Sequence, residues 1–133
     1  MYHSWGSQNA WLRQITDRNY LFVHKDLACD LDLKDGDWVW VISPHGRLKA
    51  PIKTMTGVNR DTVWTWNAIG KRAGAWGLDA NAPEATKGFL LNHLIADLFP
   101  PRKGRSSLAN ADPVTGQAAW YDLKVRIKKC LPE

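Results

Sequence analysis

Residues 28–46 read ACDLDLKDGDWVWVISPHG, and this stretch decides the fold. Lys34-Asp35-Gly36-Asp37 is a strong turn, because glycine takes a positive φ at little steric cost and aspartate favours turns. Trp38 to Ser43 (WVWVIS) is the clearest strand in the chain, since Trp, Val and Ile all suit a pleated, mostly buried surface. Pro44 to Arg47 turns the chain back. Leu48 to Thr56 then alternates apolar and polar residues, as the partner strand of a hairpin would.

The same reading extends outward. Asn19 to His24 (NYLFVH) is a short strand, and Lys25 to Leu33 is a helical turn feeding a loop. Thr62 to Trp66 is a further strand, and Trp120 to Lys128 alternates again and gives a closing one. Glu84 to Leu98 is expected to be the best helix, with Phe89, Leu90, Leu91, Leu94, Ile95 and Leu98 on one broad face and Pro100-Pro101 stopping it. Ala68 to Pro83 and Pro101 to Asp112 carry no period and read as long loops. Many strands and few helices, without regular βαβ alternation, predict a β-barrel or a β-rich α+β domain.

A chain of 133 residues is expected to form one domain, residues 1–133. Its 44% hydrophobic and 23% charged residues are ordinary for a globular domain. Its eight tryptophans are not, and a small core cannot hold them all, so some line a cleft or meet another surface. The net charge of +5 suits either an anionic ligand or a solvated surface. The basic residues are mostly dispersed and no nucleic-acid motif accompanies them, so no nucleic-acid partner is expected. Cys29 and Cys130 lie far apart and are read as two reduced thiols. They support neither a disulfide framework nor a metal cluster. The four histidines sit apart, without metal-ligand spacing, and no catalytic motif is present, so neither a catalytic nor a metal residue is assigned. No run of 18 apolar residues occurs, so direct membrane insertion is not expected.

The positive signal is recognition. Residues 3–15, HSWGSQNAWLRQI, mix two tryptophans with a glycine, two serines, two glutamines and an asparagine almost at the start of the chain, which suggests a piece of a longer one. Ser7, Gln8, Asn9, Asn67 and Asn92 offer neutral donors and acceptors, and an amide presents a carbonyl and an amino group together, matching the edge of a guanine or a pterin. Trp5 and Trp66 offer stacking faces. Gly6 and Gly70 allow close backbone approach to phosphates, with Lys71 and Arg72 placed to neutralise them. Taken singly, each of these residues has an ordinary structural reading. Together they predict a β-rich ligand-binding domain.

Five segments, in order, resemble the C-terminal domain of the large subunit of molybdopterin oxidoreductases of the dimethyl-sulfoxide-reductase type. They are HSWGSQNAWLR, DLACDLDLKDGDWVWVISPHGRLKAPIKT, TVWTWNAIGKRAG, GFLLNHLI and NADPVTGQAAWYDLKVRI, which span nearly the whole chain. The second follows the family pattern A-x-x-L-x-(I/L)-x-D-G-D-x-V-x-V-x-S-x-x-G from Ala28 to Gly46. The wording of WNAIGKRAGAW and DPVTGQAAWYDL is most similar to the branch acting on sulfur oxyanions, which includes sulfite-oxidising enzymes and relatives of thiosulfate and tetrathionate reductases.

The resemblance implies a mainly β fold, a six-stranded double-psi β-barrel of the aspartate-decarboxylase-like kind with short helices. It implies that the domain holds part of a bis(molybdopterin guanine dinucleotide) cofactor carrying molybdenum. By motif, the cofactor-contacting residues would be His3, Ser4, Trp5, Gly6, Ser7 and Asn9 in the first loop, and Trp66 and Asn67 after the late strand. Asn92 matches the family's N-x-L-T, although Ile95 stands where that motif has threonine. Gln117 and Tyr121 fall in the closing segment. The family's iron–sulfur cluster and its molybdenum ligand belong to upstream sequence, so this domain alone is not expected to be catalytic. The implied partners are the remainder of the catalytic subunit, a membrane anchor subunit, and an iron–sulfur electron-transfer subunit. The compartment stays open between cytoplasm and periplasm, with the cytoplasm preferred. The competing expectation is a stand-alone double-psi barrel that binds a ligand or protein without a redox role, because a shared fold does not dictate function.

Overall fold

The computed structural model describes residues 9–16, 18–66, 78–83, 88–96, 98, 109–118 and 123–130. At its centre is β2, Trp38–Ile42, in which Val39 and Val41 are fully buried while Trp38, Trp40 and Ile42 on the other face are half-buried. This is the period-2 consequence of a pleated strand with one face on the core. The turn before it forms as the sequence requires: Gly36 has a φ of +89° and its N–H donates to the Ile52 carbonyl.

β3, Arg47–Thr54, serves two partners in succession. Its first five residues pair antiparallel with β2, from Ile42 opposite Arg47 to Trp38 opposite Pro51. Its last three pair in parallel with β1, Leu21–Val23, in the register Leu21–Ile52 to Val23–Thr54. One strand shared in this way curls the sheet into a half-barrel. β4, Val63–Trp64, lies antiparallel on the outer edge of β1, and β5, Arg126–Lys129, lies antiparallel on the outer edge of β2. The order is β4-β1-β3-β2-β5. Of the six strands expected for the closed barrel, five occur among the described residues.

The inner face buries Leu21, Val23, Val39, Val41, Leu48, Ala50 and Ile52, with Ala28 and Leu33 from one end and Phe89 and Leu94 from the other. Each large aliphatic group buried there contributes roughly 1.5–3 kcal/mol of transfer free energy. Two short helices flank the sheet, α1 at Ala10–Ile15 and α2 at Lys25–Asp30. α2 ends in a Schellman motif: Leu33 N–H donates to the Ala28 carbonyl and Asp32 N–H to that of Cys29, with Asp32 at a φ of +50°. Leu33 and Ala28 are both buried, which is the apolar contact that usually seals such an end. Cys29 and Cys130 are both free thiols. Burial holds the Cys130 thiol above its ordinary range.

Over its described residues, 88–96 and 98, the helix expected from Glu84 to Leu98 does not form. Within it, residues 88–90 are irregular, Leu91–Leu94 make a single 3-10 turn, and both Leu90 and Ile95 are extended. The apolar residues cluster consecutively, and tertiary contact exploits them differently from a helix. Phe89 and Leu94 enter the core while Leu90 stays exposed. Of the other sequence assignments, residues 68–77 and 101–108 of the two loops, 84–87 of that helix and 120–122 of the closing strand lie outside the described residues. The last strand itself is shorter than expected and begins at Arg126. No helix among the described residues is long and apolar enough to cross a membrane.

Candidate functional site

Strand directions gather several chain segments at one end of the sheet. β1 and β3 run parallel, so both begin at the same end. β4 runs against β1, so the chain leaves Trp64 towards that same end, and β5 runs against β2, so it enters from there. The turn before β3 also lies there, with the 3-10 turn 91–94 packed on it. The opposite end carries α2 and the Lys34–Asp37 turn.

Trp66 lies just beyond β4. It is 38% exposed and meets Trp64 edge-on at 4.7 Å between ring centroids, and Trp64 in turn packs on Phe22 at 5.0 Å. The three rings form a tilted aromatic ladder in which the exposed Trp64 and Trp66 offer indole surface to a planar ligand. The backbone beneath this ladder is fastened by a residue that motif reasoning missed. Asn19 is 4% exposed and its Nδ2 donates to the Trp66 carbonyl at 2.9 Å. Its Oδ1 accepts from Thr65 Oγ1 at 3.1 Å and from the Tyr20 N–H at 3.1 Å. A lone asparagine ahead of a strand gives no signal of this in the sequence.

Asn92 sits exposed on the 3-10 turn, and its carbonyl accepts from the Ile95 N–H. Two residues of the Ala28–Gly46 pattern hold this turn in place. Ser43 Oγ donates to the Leu94 carbonyl at 2.7 Å while accepting from the His45 and Gly46 N–H groups. A Cβ on Gly46 would stand 2.2 Å from the His93 carbonyl oxygen, so only glycine admits the turn at this distance. The S-x-x-G of the pattern is therefore a docking surface for the segment that carries Asn92.

Gln117 is exposed in a loop closed by Asp112, whose carboxylate accepts from the Thr115 and Val114 N–H groups and from Thr115 Oγ1. Those bonds, Thr115's backbone N–H foremost, hold the Asp112 carboxyl below its ordinary range. The loop joins the Asn92 segment through Asn110 Nδ2, which donates to the Ala96 carbonyl at 3.1 Å, and through the bridge Leu98–Ala109. The side-chain amides of Asn92 and Gln117 have no partner among the described residues. Asn9 differs: its Oδ1 caps α1, accepting from the Trp11 and Leu12 N–H groups at 2.9 and 3.3 Å. Only its amino group is left for another role. His3, Ser4, Trp5, Gly6, Ser7, Asn67 and Tyr121 lie outside the described residues.

With this geometry in place, the family follows. The chain belongs to the molybdopterin dinucleotide-binding domains: the family model described as "Molydopterin dinucleotide binding domain" matches residues 1–111. Among similar proteins, it is 58% identical over 129 residues to a sulfite dehydrogenase subunit from Allochromatium vinosum (strain ATCC 17899 / DSM 180 / NBRC 103801 / NCIMB 10441 / D). That match takes in 97% of this chain and 13% of the relative, so the chain spans about one-eighth of that protein's length. Among solved structures, acetylene hydratase from Pelobacter acetylenicus superposes with a TM-score of 0.68 over 96% of this chain and 16% of its own, at 21% identity. This likeness shows the fold.

The donor set suits such a dinucleotide. It consists of indole faces and neutral amides, which stack on and pair with pterin and guanine rings. No group of three or more His, Cys, Asp or Glu residues that could hold a metal occurs among the described residues.

Proposed function

We propose that residues 1–133 form one domain that holds part of a bis(molybdopterin guanine dinucleotide) cofactor within a larger molybdenum-dependent catalytic subunit whose substrate is a sulfur oxyanion. The observation that carries this reading is the 58% identity, over 97% of the chain, to a protein named as a subunit of sulfite dehydrogenase. When bound, the cofactor supplies the redox chemistry, and the protein supplies binding and orientation. Trp66 stacks on a ring of the cofactor. Asn92 and Gln117 pair with polar ring edges through their open amides, and Asn9 contributes its remaining amino hydrogens. His3, Ser4, Trp5, Gly6, Ser7, Asn67 and Tyr121 complete the contact set by motif. The rest of the catalytic subunit covers the exposed indoles and excludes water. A membrane anchor and an iron–sulfur electron-transfer protein complete the assembly, a reading supported by the relative's designation as one subunit of its enzyme.

The test is cofactor content of the full-length protein. Trp66→Ala and Asn92→Ala are each expected to lower molybdenum and pterin per polypeptide by about tenfold, the loss of roughly one good polar or stacking contact. Unchanged molybdenum content in both purified variants would remove these residues from the site.

A further inference from the structure

The geometry points to Asn19 as a positioning residue for Trp66. This inference rests on the cofactor reading of Trp66 and deepens it. Asn19 is the one buried polar side chain among the described residues, and it lies in the irregular segment between α1 and β1. A buried amide is tolerated where its donors and acceptors are matched, and this one is matched by groups 46 and 47 residues away. All of its long-range partners belong to Thr65 and Trp66. Both halves of the amide are used: Nδ2 takes the Trp66 carbonyl and Oδ1 takes the Thr65 hydroxyl.

The placement of these bonds gives them their consequence. β4 is only two residues long, Val63–Trp64, and the ladder with β1 stops at the pair Phe22–Trp64. At Thr65 and Trp66, the described residues that follow directly, no strand pairing holds the chain. The Asn19 amide takes over there, fixing the peptide that follows Trp66 and so the direction in which the indole leaves the backbone. The edge-on contact of Trp66 with Trp64 then sets its remaining freedom. Asn19 reaches the ligand through Trp66 and is not itself a contact residue. Supporting groups of this kind orient the groups that touch the ligand, and their removal commonly costs about tenfold or more in retention.

The substitution that isolates the effect is Asn19→Asp, which keeps size and acceptor oxygen and removes the donor to Trp66. Thr65→Val removes the other long-range bond at a less buried position and serves if the first variant folds poorly. Leu33→Ala, beneath α2 at the far end of the sheet, is the control for lost stability. The full-length protein is assayed for molybdenum and pterin per polypeptide after dialysis, and for hydrogen exchange across residues 62–66. Asn19→Asp is expected to retain about tenfold less cofactor and to exchange faster over 62–66 than over β2 and β3. Thr65→Val should move both readouts in the same direction by less. Leu33→Ala should keep its cofactor at an equal loss of melting temperature. Wild-type retention in Asn19→Asp and Thr65→Val, with loss in Trp66→Ala, overturns the positioning role alone. Retention in Trp66→Ala as well overturns the cofactor reading beneath it. Equal cofactor loss in Leu33→Ala, with exchange rising evenly across the sheet, reduces Asn19 to a structural residue and also overturns the inference.

Discussion

At the end of the sheet where β1 and β3 finish, charge and backbone hydrogen bonds close the structure. Asp37 accepts from the Lys34 N–H at 3.0 Å and pairs with Lys129 Nζ at 3.1 Å, while Asp35 accepts from the Thr54 N–H at 2.7 Å. Lys129 also donates to the Asp32 carbonyl, and Arg60 pairs with Asp30. At the end where the two strands begin, the fastening between segments is neutral. Asn19 holds Trp66, Ser43 holds Leu94 and Asn110 holds Ala96. The contrast teaches how one small sheet separates stability from recognition. Carboxylates beside the phosphates of an anionic dinucleotide would repel it. Neutral side chains tie the segments together there, with Asp112 closing its own loop, and the cluster of Asp30, Asp32, Asp35 and Asp37 lies at the far end.

The sharpest way to break this comparison uses one glycine from each end. Gly46→Ala is expected to cost about 3 kcal/mol, because the new methyl collides with the His93 carbonyl and must displace the 3-10 turn. Gly36→Ala meets open space and costs only the left-handed backbone strain, about 1–2 kcal/mol. Urea denaturation measures both. Equal losses would mean that the Ser43–Gly46 turn does not dock residues 91–94 as tightly as the geometry indicates.

A smaller effect tests the charged end through its acid response. The Lys34 N–H first, and Lys129 second, hold the Asp37 carboxyl below its ordinary value of about 3.9. Because the folded value is lowered, Asp37 contributes stability above about pH 4 and loses it as the pH falls through that region towards the folded value. Lys129→Met should lower stability at neutral pH by less than about 1 kcal/mol, since both partners are partly exposed. It should also flatten, without abolishing, the loss of stability below about pH 4, as the Lys34 bond remains. An unchanged acid limb in urea titrations from about pH 2 to 5 would show that the ion pair is idle. The smallest expected change is a gain. Asp32→Gly relieves the left-handed residue closing α2 and should stabilise by about 0.5 kcal/mol, visible as a higher urea midpoint. A fall in the midpoint would mean that the Asp32 carboxylate, 3.9 Å from Lys129, matters more than its geometry suggests.

The contrast between the ends also explains what could be read from the sequence. Turn and strand chemistry at the charged end is local: Gly36, the aspartates around it and the alternation of β2 and β3 act within a few residues. At the open end the outcome depends on distant partners. Phe89 to Ile95 has enough apolar residues for a helix, but Gly46 and Ser43 capture it as a 3-10 turn. Asn9 reads as a ligand residue, yet its oxygen caps α1. Asn19 gives no local sign at all, because its value lies in Thr65 and Trp66.

The sequence by itself determined the mainly β character, the central hairpin, the Gly36 turn, the family and the kinds of side chain available for a planar, anionic ligand. These follow from short-range sterics, strand periodicity and residue chemistry. Only the tertiary structure decided which end of the sheet collects Trp66, Asn92 and Gln117, and which buried amide and which glycine hold them there. Those depend on strand direction and on contacts between residues some 50 positions apart, which no local pattern encodes.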